Sequence, residues 1–432
     1  MTHLFPGRSA LTSAILCLSL VPGVASAQTA SQTPEGSAAP ASELVGDAIT
    51  SQPASPKPAN DAVIAAPSPE ADGAPENATP ETAAQPELTP APVPPTSLTV
   101  ATWEGAYGEA QRIAVFDPFA SRTGIAIKTQ PHTDGARLRK SDTADKLDWD
   151  VAHIPADAAI AACKAGTVIA LDDARPAADQ FIAGAVGTCH VASAVWSSVI
   201  AVRPSSRWQA KPTTLADVFD PTSFPGKRAF PRQPRYLLET ALMADGVAPA
   251  EVYATLATDA GLARAFARLE DMRPHIVWWR ATNETDVLLA EKNVRFVLGF
   301  NGRFFNAFAG RKDAPRLIWD GQLYGLNAWV IPAKSKHPAA AKEFISAALQ
   351  ADAMRAQASR LPYGPTRVAA VAEPIRNDAL GIDITPYLPT APGNFSRALE
   401  INEAWWRQNE ARLIDRFNAW LEGKTAQSQT VE

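Results

Sequence analysis

Between Gln28 and Thr96 the chain runs for 69 residues with 14 prolines and no phenylalanine, tryptophan or tyrosine. Such a segment cannot bury a core, because it lacks the large apolar side chains whose burial offsets the loss of chain entropy. Its prolines recur too often for any helix to run more than a few turns. It reads as an extended, solvated tether, carrying nine acids against the single Lys57. As a coil it would reach on the order of 50 Å. Folding is thereby confined to residues 97–432, and those 336 residues are more than one core usually holds, so two domains are expected.

Residues 1–27 carry the marks of a cleavable signal: Arg8, an apolar run from Ala10 to Leu20, and Ala25-Ser26-Ala27 as the cleavage site. The mature chain would then start at Gln28, in the periplasm. Cys17 follows Leu16, where a lipoprotein signal takes a small residue, so a lipid anchor is not expected. No later stretch approaches the roughly 18 apolar residues of a membrane span. The formal net charge is −5, to which the signal contributes +1 and the tether −8, leaving +2 for residues 97–432. A fold this close to neutral has no basic footprint, and no nucleic-acid partner is expected.

Ser97 to Trp103 is a β-rich run, and Glu104 to Gly108 reads as a turn. Ile113, Val115, Phe116 and Phe119 then fall at helical spacing over 109–121, with Gly124 as the stop before a strand at 125–127. Further strands are expected at 150–154, 194–202, 295–300 and 326–331. Helices are expected at 156–165, 237–245 and 339–349. Alternation of this kind predicts an α/β sheet.

The chain holds no G-x-S-x-G, H-E-x-x-H, G-x-G-x-x-G or P-loop motif. Its histidines are scattered singly and its tyrosines are never adjacent. No catalytic residue, metal or cofactor is expected. Cys163 and Cys189 are the two cysteines that signal removal would leave, an even pair suited to a disulfide in an oxidising compartment. A metal pair or a catalytic thiol are the other readings, and neither has a CxxC or a nearby ligand-spaced histidine to support it.

A series of short motifs runs in order along the folded part: Trp103-Glu104-Gly105-Ala106-Tyr107-Gly108, Phe116-Asp117-Pro118-Phe119, Trp149-Asp150-Val151, Val195-Trp196-Ser197, Phe224-Pro225-Gly226-Lys227-Arg228, Val277-Trp278-Trp279, Asn301-Gly302-Arg303, Trp329-Val330-Ile331-Pro332 and Pro362-Tyr363-Gly364-Pro365-Thr366. In this series, and in Cys163 and Cys189, the chain resembles periplasmic solute-binding proteins of the spermidine/putrescine type. The resemblance implies a two-lobed α/β fold of the type II periplasmic binding protein kind, with a solute cleft between lobes joined by crossing strands. The lobes would be 97–197 with 328–432, and 198–327. It also implies a monomer that works with the permease subunits and ATPase of an ABC importer and performs no chemistry.

A polyamine pocket needs aromatic walls for methylenes and carboxylates for ammonium groups. On the resemblance and these residue types, the ligand-binding set is Trp103, Glu104, Tyr107, Asp157, Trp196, Tyr236, Asn301, Asn327, Trp329 and Tyr363, with Glu104 the foremost carboxylate. Two departures bear on the ligand. Asn327 stands where polyamine binders carry an aspartate, and Gln233, Arg235 and Tyr236 stand where they carry acids. The solute is therefore expected to be cationic or zwitterionic: a polyamine, a monoamine, or a carboxylate-bearing molecule clamped by Arg235 or Arg303. The other classes open to the sequence are an envelope-tethered scaffold with a degenerate cleft and an enzyme on the same lobes.

Overall fold

The computed structural model describes residues 95–132 and 135–423. The expected signal segment and nearly all of the tether lie outside the described residues. Eight strands build most of one sheet: β1 (Ser97–Thr102), β2 (Ala126–Pro131), β3 (Val151–Pro155), β4 (Val191–Val202), β5 (Lys227–Pro231), β6 (Ile276–Trp279), β7 (Val294–Phe300) and β8 (Arg316–Val330). Their order is β2-β1-β3-β8-β4-β7-β5-β6, with short strands Leu399–Glu400 on β8 and Gly364–Pro365 on β4. The outer strands on each side are parallel, as crossover helices require. β3, β8, β4 and β7 pair antiparallel through the centre.

The two long strands make one sheet out of two halves. β4 and β8 run together from Val191↔Trp329 to Val202↔Arg316, with register shifts after Ala192 and Ser198. Their outer ends feed different apolar clusters. One gathers Leu98, Val151, Ile154 and Trp329 with Phe344 and Ile345. Another gathers Ile200, Phe230, Leu242, Leu269 and Phe296. The C-terminal helix Glu403–Leu421, expected with the first of these, buries Trp406, Leu413 and Phe417 in the second.

Several boundaries differ from the sequence reading. A helix opens at Gly105, where a turn was expected, and continues through a π-helical turn, Arg112–Phe116, to Thr123. Gly108 allows the early start: a Cβ there would overlap the Trp103 carbonyl oxygen, so only glycine lets the first turn pack on the end of β1. β8 begins well before 326, since residues 316–325 are buried on both faces and show no alternation. Cys163 and Cys189 form a disulfide with Cα atoms 5.8 Å apart, tying the helix Ala156–Lys164 to the start of β4.

Candidate functional site

The site is built where β4 and β8 cross between the halves. Trp196 and Gly325 are direct cross-strand partners. A Cβ at 325 would overlap the Trp196 indole, so the glycine lets the ring lie flat over the neighbouring strand. Beside this floor is a cavity of about 40 Å³ lined by Pro155, Ala156, Asp157, Trp196, Gly325, Leu326, Glu400, Ile401 and Glu403. That is well below the roughly 300–1,000 Å³ of an ordinary small-molecule pocket, so the walls would have to part for a solute to sit there. A larger groove of about 430 Å³ lies between Asp145–Asp148 and Lys334–Lys336. Its lysines already pair with its acids, Lys336 with Asp148 at 2.7 Å and Lys334 with Asp145 at 4.0 Å, on an open surface remote from the crossing.

Three acids, Asp157, Glu400 and Glu403, line the small cavity, and arginines pair with two of them. Asp157 sits in the first turn of its helix and its Oδ2 accepts from Arg407 Nη1 at 2.7 Å. Arg235 pairs with Glu403 and lies 3.9 Å from Glu410. Its guanidinium also faces the rings of Tyr236 and Trp406 at 5.6 and 5.8 Å. Burial works against the Arg235 charge, but Tyr236, Glu403 and Glu239 more than restore it, and its pKa is raised. Glu400 hydrogen-bonds with Tyr324, and burial pushes its carboxyl up. Tyr236 holds a left-handed backbone, φ 69°, a strained conformation for a residue with a side chain. Its ring meets Phe300 at 5.5 Å, and Phe300 meets Trp196 at 5.8 Å, so the aromatic wall is continuous.

A second aromatic group packs beside the crossing. Trp103, Tyr107, His132, His153 and Tyr363 interlock, with Tyr107 against Tyr363 at 4.8 Å and Trp103 against His132 at 5.0 Å. Buried His153 organises it. The Thr102 hydroxyl donates to Gln111 Oε1, leaving Gln111 Nε2 to donate to His153 Nδ1 at 3.0 Å. The imidazole is then neutral with its proton on Nε2, facing Ser193 Oγ at 2.9 Å. Burial first, then the charge of His132, holds its pKa well below the usual histidine value. Tyr107 completes the group with a hydroxyl 3.3 Å from His153 Nδ1 and bonds to Asn327 and Gln357.

The structure thus brings Asp157 and Trp196 to one cavity wall, with Tyr236 behind Trp196 through Phe300, and Trp103, Tyr107, Asn327 and Tyr363 to an adjoining cluster. Glu104 is exposed before the first helix and does not cap it. Trp329 lies beneath the cluster, 1% exposed, 4.1 Å from His153 and 5.4 Å from Phe344. Asn301 is buried with both carboxamide atoms bonded inside the protein, accepting from Ser197 N at 3.1 Å and donating to Pro362 O at 2.5 Å. Arg303, the alternative clamp, is held by Asp286 at 3.0 Å. Glu400, Glu403 and Arg407 escaped the sequence reading. The visible signal for them was Asn402, a helix-capping residue set before an i, i+4 Glu–Arg pair.

Residues 114–380 match the bacterial extracellular solute-binding protein family. The chain is 34% identical over 330 residues to a gamma-aminobutyric acid-binding protein of Pseudomonas aeruginosa, covering 75% of this chain and 90% of that one. A solved GABA receptor structure is 25% identical, with a TM-score of 0.59 over 78% of this chain and all of the other. An ABC transporter substrate-binding protein from Bradyrhizobium japonicum is 26% identical, with a TM-score of 0.61 over 76% of this chain and 99% of that one. Its crossed-strand α/β architecture is that of these binding proteins, and the chain belongs to the bacterial extracellular solute-binding protein family.

Proposed function

We propose that this protein is the periplasmic receptor of an ABC importer for a small zwitterionic amino acid of the gamma-aminobutyric acid kind, rather than for a polyamine. The observation that carries the reading is the pairing of charges at the cavity beside the Trp196–Gly325 floor: Asp157, which lines it, would take an ammonium, and Arg235, the partner of the lining Glu403, would take a carboxylate, both partly buried. A polyamine has no carboxylate that could take the place of Glu403 on Arg235. The neutral Asn327, bonded to the Tyr107 hydroxyl, removes another cation partner from the same wall. A relative 34% identical binds gamma-aminobutyric acid by name.

The work is a conformational equilibrium between lobes 97–197 with 328–402, and 198–327 with the helix Glu403–Leu421. A solute gripped from both sides stabilises the closed form, which the permease reads. Thermal denaturation against gamma-aminobutyric acid, putrescine and spermidine tests this. Ligand at about 100 times its dissociation constant adds roughly 2.7 kcal/mol of stability. Stabilisation by gamma-aminobutyric acid supports the reading; stabilisation by the polyamines alone overturns it.

A further inference from the structure

We infer that Glu403 and Arg407 are built-in stand-ins for the solute, so that binding is an exchange of ion pairs in which these two side chains of the C-terminal helix give way. The inference rests on the zwitterion reading and goes beyond it by naming what the ligand displaces.

Glu403 and Arg407 are one helical turn apart, so they project from the same face of Glu403–Leu421. One is an anion and the other a cation, the two charges of a zwitterion. Glu403 takes Arg235, which leads into the helix Leu237–Ala244. Arg407 takes Asp157 Oδ2 at 2.7 Å, in the first turn of Ala156–Lys164. Each stand-in thus neutralises the group that would hold the end of the solute carrying the same charge as itself. Asp157 and Glu403 also line the same cavity, which at about 40 Å³ has no space for a solute while both pairs are closed. All four side chains keep between 20% and 43% of their surface in solvent, so the pairs are weak enough for a ligand to replace.

The helix is held elsewhere by firmer contacts. Trp406 Nε1 donates to Glu239 Oε1 at 2.6 Å, and Leu413 and Phe417 are buried. Breaking the two pairs therefore releases the Glu403 and Arg407 side chains without undocking the helix.

The test is calorimetric titration of the wild type, Arg407→Gln, Glu403→Gln and the charge-keeping Arg407→Lys with gamma-aminobutyric acid, n-butylamine and butyrate. Removing a competing partly exposed pair should tighten binding by about threefold to tenfold. Arg407→Gln should tighten the amine and not butyrate, Glu403→Gln butyrate and not the amine, and both should tighten the zwitterion, with Arg407→Lys near wild type. Zwitterion binding that is unchanged or weaker in both Gln variants, with wild-type binding intact, overturns the exchange alone. No binding of any of the three compounds to any of the four proteins overturns the zwitterion reading and the exchange together.

Discussion

The indole of Trp196 fills the space that a side chain on its cross-strand partner Gly325 would occupy. The two residues close the middle of the crossing strands with one ring, beside the cavity that Asp157 and Glu403 line. Gly325→Ala should therefore displace the indole and cost about 1–3 kcal/mol of stability, the usual penalty for overpacking. Urea denaturation checks this, and an unchanged midpoint would show that the ring is not confined.

Asp157 and Glu104 separate by position. Asp157 lines the small cavity, whereas Glu104 is exposed before the first helix. Asp157→Asn should weaken gamma-aminobutyric acid binding by about tenfold or more, and Glu104→Gln by less than about threefold, since removing the partner of a desolvated charge costs more than removing a solvated one. The reverse order in a titration would move the ammonium site to the mouth of the first helix.

Glu239 makes stability depend on pH. It is fully buried, accepts from Trp406 and Tyr253 through Oε1, and has no partner at Oε2. Burial pushes its carboxyl up to about 7 from the usual 4.5, against the opposing pull of the Trp406 and Tyr253 hydrogen bonds and the Arg235 charge. The folded protein then holds a proton that the unfolded chain releases. This contribution is fully present below pH 4.5 and is lost as pH rises through about 7, on the order of 3 kcal/mol in all. His153, with its pKa lowered, acts in the opposite sense as pH falls below 6.5. The difference between wild type and Glu239→Gln isolates the carboxyl: wild-type stability should fall relative to the variant between pH 5 and 8. Parallel curves would contradict it.

Much of the first half was legible in the sequence because its signals are local. The Ser97–Trp103 run, the helical spacing before Gly124 and the cysteine pair appear as β1, the following helix and the disulfide. The crossing strands were legible through the family resemblance, though their starts were set too late. What escaped depends on contacts distant in the chain. Whether a strand tryptophan faces a cleft or a core depends on register, and Trp196 and Trp329 differ there: one lines the cavity and the other is buried under His153. The docking of Glu403–Leu421 on the far half joins Trp406 to Glu239, 167 residues apart, which periodicity cannot reveal. Gly325 was unread because its role is to be empty beneath a ring from another strand.

The disulfide pins the end of the helix whose first turn carries Asp157. Replacing Cys163 and Cys189 together by serine should lower stability by roughly 3 kcal/mol, as expected for freeing a loop of this length in the unfolded chain. A denaturation midpoint equal to that of the oxidised protein would show that packing alone holds the helix.

The central claim is that the cleft selects a molecule with both charges. Its most direct test is competition on one sample: the full chain titrated with gamma-aminobutyric acid in the presence and absence of excess putrescine. The account predicts saturable binding of the zwitterion that putrescine does not displace. Saturable binding of putrescine, with none of gamma-aminobutyric acid, would contradict it.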